Sequence, residues 1–268
     1  MKLLSIVAAA LLLAGCAGGK YSSTNKAYKR QVKSFAKLLR EYPVEDSAGL
    51  PWAGQWVGTT NFGMRRPNFV VIHHTAQNSC EQTLKTFTLP RTQVSAHYVI
   101  CKDGTVHHML NDLLRAHHAG VGRWGNDTDL NSSSIGIEID NNGSEPFTKL
   151  QMTSLGNLLG RLKRAYNIPA ANFIGHSDIA PGRKVDPSNF FPWMDLARQG
   201  YGLWYDTTNV QLPVDFNVMN SLRIIGYDIR RPEAAIKSFN LHYLPADTSV
   251  QVSDPGKKIL FSIQQQSQ

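Results

Sequence analysis

The chain has 268 residues, of which 42% are hydrophobic and 18% charged, enough to bury the core of one medium-sized domain with a small second one. Its formal net charge is +8, and the basic residues are scattered apart from a denser region between Lys20 and Arg40. Charge spread in this way describes a solvated surface, a tether near anionic headgroups, or attraction to an anionic polymer. Together with the secretion signal that opens the chain, it argues against nucleic acid as a partner.

Met1-Lys2 is a short basic start, and the apolar run Leu3 to Leu13 has the length of a signal-peptide core, too short to span a membrane as a mature helix. It runs into Leu13-Ala14-Gly15-Cys16, which resembles the bacterial lipobox. That resemblance implies cleavage before Cys16 and lipid on its thiol and new amino group; the alternative is an ordinary signal peptide with a chance cysteine. Ala17, rather than Asp, after Cys16 implies the outer membrane by the same analogy. The two other cysteines, Cys80 and Cys101, then sit in an oxidising compartment. They either pair in a disulfide closing a loop of about twenty residues or remain buried free thiols. They lack C-x-x-C spacing, which argues against zinc ligation.

Residues 17–27, rich in Gly, Ser, Lys and Asn, read as a flexible tether. Tyr28, Val32, Phe35, Leu38 and Leu39 recur at helical spacing, predicting a short amphipathic helix over 28–41 that packs on the domain or lies at a membrane surface. Residues 43–68 read as irregular. Asn68 to His73 predicts a buried strand and Glu81 to Leu89 a helix. Val94 to Cys101 and Thr105 to Met109 predict a β-hairpin around Lys102-Asp103-Gly104. Ser134 to Asp140 predicts another apolar strand, Thr148 to Tyr166 a core-facing helix, Asn172 to His176 a short strand, and Phe190 to Gln199 a helix. Mixed in this order, the elements imply an α/β fold, a mixed central sheet flanked by helices. From about Pro213 two or three short helices follow, and the last residues, Gln264 onward, read as frayed. No internal repeat is present. The expected organisation is a signal peptide over 1–15, a lipidated tether and helix over 16–45, a main domain over 46–205 and a small C-terminal helical domain over 206–268.

The string His176-Ser-Asp-Ile-Ala-Pro-Gly-Arg-Lys184-Val-Asp186-Pro187 reads as a loop, broken by Pro181, Gly182 and Pro187. It offers an imidazole, an ammonium and a carboxylate at the edge of a strand. Upstream, His73-His74 ends an apolar run. Two imidazoles and a carboxylate leave a zinc ion one open position, as a hydrolase needs and a structural site lacks. The nine histidines include the pairs His73-His74, His107-His108 and His117-His118, and on a strand only one member of a pair can face a common site. Periodicity does not say which.

Val-Ile-His73-His74-Thr-Ala, Ser95-Ala-His97-Tyr98, His117-His118-Ala-Gly, Ser134-Ile-Gly-Ile-Glu138 and the His176 to Pro187 string appear in this order. Together they resemble the zinc N-acetylmuramoyl-L-alanine amidases of the type-2 family, whose fold is shared with peptidoglycan recognition proteins. The resemblance is strongest to the family's outer-membrane lipoproteins and covers nearly the whole chain, including a C-terminal module similar to a peptidoglycan-binding domain. It implies that His73, His176 and Asp186 hold Zn2+, with Asp178 the competing carboxylate. It further implies that Glu138 moves the proton between water and leaving amine, and that Lys184 stands beside the developing oxyanion. Without it, Glu138 facing solvent by simple alternation and Lys184 as an exposed loop lysine would be preferred. Tyr98 and His118 match family positions near the site, as substrate contacts or as a half-buried aromatic and an outer hydrogen-bond partner. Arg183 and Trp124 are candidates for a glycopeptide groove or for plain surface. His74 and His117 stand where the family usually has an aromatic. The implied protein is a monomeric, lipid-anchored amidase facing the periplasm, acting on peptidoglycan or muropeptides. The competing reading is a non-catalytic peptidoglycan-binding lipoprotein of the same fold.

Overall fold

The computed structural model describes residues 19–40, 59–61, 64 and 66–267. The expected signal segment, the expected lipidation site Cys16 and the stretch 43–58 lie outside the described residues. The chain divides into two compact units after Gly63.

In the first unit, helix α1 (Ser22–Leu38) begins at Ser22 rather than Tyr28, so half of the expected tether is helical. Lys26 and Ala27 are good helix formers, and they extend the amphipathic stretch backwards. None of the helix's residues is buried.

The second unit is built on a five-stranded sheet in the order β3-β2-β4-β1-β5. Strand β1 (Phe69–His74) lies between β4 (Ser134–Ile139) and β5 (Phe173–Gly175), parallel to both. Strand β2 (Tyr98–Ile100) runs parallel to β4, and β3 (Val106–His108) pairs with it antiparallel, making the mixed sheet that the element order implies. In the hairpin turn, Asp103 Oδ1 accepts the Thr105 N–H at 2.9 Å. The first arm of the hairpin is shorter than its apolar run, because Ser95 gives its N–H to the His117 carbonyl instead of to a strand.

Alternation along the strands separates two faces. Val70, Ile72, Tyr98, Ile100, Ile135, Ile137, Ile139 and Phe173 form one face, covered by Leu155, Leu158, Leu159 and Leu162 of helix α4 (Lys149–Tyr166). Thr148 and Gln151 close a reciprocal capping box at the start of α4, satisfying two N–H groups that the helix itself leaves open. The opposite face carries a smaller apolar cluster, with Val71 and Ile174 against Ala119, Leu130, Ile179 and Ala180. Leu130 belongs to α3 (Leu130–Ser133), a helical turn that no periodicity signals.

Helix α2 (Cys80–Thr88) is capped by Ser79, whose Oγ accepts the Gln82 N–H. Its first residue, Cys80, is bonded to Cys101, which decides between disulfide and free thiols. Helix α6 (Trp193–Arg198) starts later than the expected Phe190, because Phe191 precedes Pro192 and a residue before proline disfavours helical backbone. Three C-terminal helices follow: α7 (Val218–Ile225), α8 (Pro232–Tyr243) and α9 (Asp254–Gln266). They share a core around Leu222, Phe239, Leu260 and Ile263. Trp204 packs against both this core and the α4 face, while Trp124 joins it to the smaller cluster. The expected fraying at Gln264 does not occur. Gln264 accepts from the Ser221 hydroxyl, and Gln266 donates to the Trp204 carbonyl at 3.0 Å.

Candidate metal centre

The carboxyl ends of β1, β4 and β5 meet on the face opposite α4. There His73 follows Val71, while His74 points the other way and accepts the Ser188 N–H on Nδ1 at 3.1 Å. Glu138 is in register with His73 on the neighbouring parallel strand, so the two share a face. Gly175 is in register with Ile72, which brings His176 to the level of His73. The chain then makes one helical turn, α5 (His176–Ile179), where a loop was expected, and comes back past Lys184 to Asp186. The Ser177 N–H, donating to the Asp186 carbonyl at 2.8 Å, closes that return.

His73 Nδ1, His176 Nδ1 and Asp186 Oδ2 converge. The nitrogens are 2.9 Å apart, and Oδ2 lies 3.1 Å from His73 and 2.9 Å from His176. All three residues are buried. Their protonation follows from the outer hydrogen bonds. His176 Nε2 faces the Ala119 carbonyl at 3.1 Å, which can only accept, so Nε2 carries a proton and the neutral ring offers its bare lone pair at Nδ1. On the other side the Ser134 hydroxyl donates to the Leu130 carbonyl, so its oxygen accepts from His118 Nε2 at 3.2 Å. His118 Nδ1 must then accept from His73 Nε2 at 3.0 Å, leaving His73 Nδ1 bare as well. Burial, and then the neighbouring His176, lower the His73 pKa to about 4, and burial holds His118 well below its ordinary value, so both rings are neutral.

Three lone pairs thus face one point with no proton to share, an arrangement that a cation resolves. Two imidazoles and a carboxylate are zinc-type donors, and edges of 2.9 to 3.1 Å approach the ~3.3 Å edge of a tetrahedron with zinc–ligand bonds of ~2.0–2.1 Å. The donor set fits zinc.

Glu138 is half-buried, but its Oε2 is enclosed and has no hydrogen-bond partner among the described residues. Burial first, and the Asp186 charge second, push its pKa up to about 8, with Lys184 opposing. The Lys184 ammonium likewise has no hydrogen-bond partner among the described residues.

The remaining expected residues divide. His118 reaches the centre and touches His73. It can do so only because β4 has glycine at 136: a Cβ there would lie 2.3 Å from the His118 ring. Arg183 donates from Nη2 at 2.7 Å to the same Ala119 carbonyl that His176 uses. Tyr98 is not brought to the site. It lies on the α4 face, stacked on His108 with its hydroxyl on Asp112, because Val99 and not Tyr98 is the register partner of Glu138. Trp124 packs edge-on against Tyr227. Asp178, the competing carboxylate, is fully buried among other donors: the Gly175 N–H, the Tyr227 hydroxyl and His242. Ser134 and Asn131 escaped sequence reading. Asn131 Oδ1 accepts the N–H groups of His118 and Ala119, both at 2.9 Å. The available signal was that Ser134 and Gly136, both small, alternate in phase with Glu138.

Residues 63–189 match the family described as N-acetylmuramoyl-L-alanine amidase. The chain is 32% identical over 272 residues to N-acetylmuramoyl-L-alanine amidase AmiD of Escherichia coli, covering 90% of this chain and 89% of AmiD. It is 37% identical over 102 residues to the 1,6-anhydro-N-acetylmuramyl-L-alanine amidase AmpD of Haemophilus influenzae, 38% of this chain and 55% of AmpD. Among solved structures, AmiD from E. coli in complex with the substrate anhydro-N-acetylmuramic acid-L-Ala-D-gamma-Glu-L-Lys superposes with a TM-score of 0.68 at 27% identity, over 78% of this chain and 93% of that one. AmpDh3 from Pseudomonas aeruginosa in complex with anhydromuramic pentapeptide gives 0.68 at 25% identity, over 84% and 99%.

Proposed function

Since this chain belongs to the N-acetylmuramoyl-L-alanine amidase family, we propose that it hydrolyses, with zinc, the amide between N-acetylmuramic acid and L-alanine in peptidoglycan or muropeptides. The observation that carries the metal-dependent reading is the convergence of three proton-free donors, with Glu138 next to them in register. Held by His73, His176 and Asp186, zinc supplies a Lewis acid for the scissile carbonyl and positive charge that favours both ionisation of water and the carboxylate form of Glu138. Glu138 takes a proton from the attacking water as its oxygen bonds to the scissile carbonyl carbon, and then gives that proton to the leaving nitrogen of L-alanine as the C–N bond breaks. Its enclosed Oε2, free of competing hydrogen bonds among the described residues, suits that shuttle. Lys184, with no hydrogen-bond partner for its ammonium among the described residues, is available to the oxyanion. The same complete set argues against the purely binding reading, which has no use for a proton shuttle beside a metal.

The test is mass analysis of products from purified peptidoglycan and from an anhydro-muropeptide, with and without a chelator. New L-alanine amino termini are expected, lost with chelator and restored by zinc. Absence of that product from both substrates overturns the reaction, and chelator-insensitive product overturns the metal. We also read the mature protein as anchored in the outer membrane through lipid on Cys16, on the strength of the apolar run and the small residues before that cysteine. Replacing residues 1–16 by a conventional cleavable signal peptide is expected to move the protein to the soluble periplasmic fraction, and its retention in membranes refutes the anchor.

A further inference from the structure

The segment from Gly175 to Pro187 carries His176, Lys184 and Asp186, so the donor triangle is only as well placed as that segment. The C-terminal region braces it at three points. Ser238 in α8 donates its hydroxyl to the Ser177 carbonyl at 2.9 Å. Asp178, one residue further, is fully buried and accepts three hydrogen bonds. Its Oδ2 takes the Gly175 N–H at 2.7 Å and His242 Nδ1 at 2.8 Å, and its Oδ1 takes the Tyr227 hydroxyl at 2.9 Å. His242 is itself held by stacking on Trp193, with ring centroids 3.9 Å apart. Midway along the segment Gly182 lies so close to α8 that a Cβ would come within 2.9 Å of the Ala234 Cβ.

A buried carboxylate is stable only when its lone pairs are satisfied. Within its own segment Asp178 finds one donor, the Gly175 N–H. The other two come from the C-terminal region, 49 and 64 residues away in sequence. The ion-binding turn therefore depends on a region outside the matched family segment of residues 63–189.

We propose that Asp178 is a positioning residue through which Tyr227 and His242, with Ser238 beside them, hold His176 and Asp186 in the donor arrangement, so that the C-terminal helices set the affinity of the metal centre. The inference rests on the metal reading of that site. Perturbing the brace lets the turn relax, and the donors lose their common focus while the sheet and His73 stay in place.

The experiment compares the full chain with its Tyr227→Phe, His242→Phe and Ser238→Ala variants. Zinc affinity is measured by competition with a chromophoric chelator, and thermal midpoints are measured on the metal-free proteins. Tyr166→Phe serves as the control. Its hydroxyl donates to buried Asp112 at 2.9 Å on the other side of the sheet, a comparable bond with no path to the donors. Tyr227→Phe and His242→Phe are each expected to weaken zinc binding by about tenfold, the scale typical of an outer hydrogen-bond partner, while Tyr166→Phe lowers the midpoint and leaves zinc affinity unchanged. Ser238→Ala, the mildest change, is expected to weaken zinc about threefold on the same basis, and it supplies the readout should His242→Phe not fold. Wild-type zinc affinity in the folded variants, with losses confined to the thermal midpoint, overturns the proposal and leaves only a packing contact. A wild-type protein that binds no zinc removes the metal reading itself, and the brace with it.

Discussion

Replacing Glu138 by glutamine tests the electrostatic character of the site without any substrate. The unfolded carboxyl releases its proton near its ordinary pKa of 4.5, the folded one only near about 8. Between these values the folded state holds the extra proton, so the wild type loses stability as pH rises, and above the folded pKa the loss is complete. At about 1.4 kcal/mol per tenfold change, a displacement of this size has a ceiling of roughly 5 kcal/mol. Water reaching the exposed part of the side chain relaxes some of it, leaving on the order of 2–4 kcal/mol. Glutamine keeps the shape and cannot ionise. The amide's own burial shifts its curve by a constant, so the slope against pH is the quantity to read. Urea unfolding in chelator from about pH 5 to pH 9 is expected to show the stability of Glu138→Gln rising relative to wild type by that amount. With zinc restored the difference is expected to shrink, because a nearby dication favours the carboxylate. Parallel curves in chelator refute the reasoning, since they mean that Glu138 does not titrate across this window.

Glu138→Ala is expected to keep zinc and to lower turnover by about 10²–10⁴, read from initial rates on a muropeptide; full activity removes the proton-transfer role. Gly136→Ala puts a methyl group into the His118 ring, 2.3 Å from Cγ, and is expected to lose about 1–3 kcal/mol in urea unfolding. An unchanged midpoint would mean that His118 has another place to go. Ser134→Ala removes the acceptor that fixes the tautomer of His118 and, through it, of His73, and is expected to weaken zinc about tenfold in chelator competition. Wild-type affinity in that variant means that His73 keeps its proton on Nε2 without the relay.

Much of the architecture was legible in the residue pattern. The apolar run before His73 and the Ser134 to Ile139 run became the two central parallel strands, and the leucine spacing of residues 149–166 became the helix on their covered face. Expectation and structure differ where backbone chemistry or a distant contact overrides the local pattern: at Phe191 before proline, at Ser22, where helix formers continue an amphipathic stretch, and at Gln264, whose side chain a neighbouring helix holds. The donor types at the candidate site were legible as well, because zinc chemistry restricts them and the His176 to Asp186 spacing is specific.

Alternation along a strand says which residues share a face, not which face a helix will cover. That choice belongs to the packing of α4, and it sends His73 to the open face and both Tyr98 and His74 to the covered one. Likewise the sequence names an imidazole but not the nitrogen that carries its proton. Two backbone carbonyls, Ala119 and Leu130, decide that from distant segments. The bracing of Asp178 by Tyr227 and His242 is nonlocal in the same sense. Local chemistry chose the residues that can act, and burial in three dimensions chose their faces, their protons and their supports.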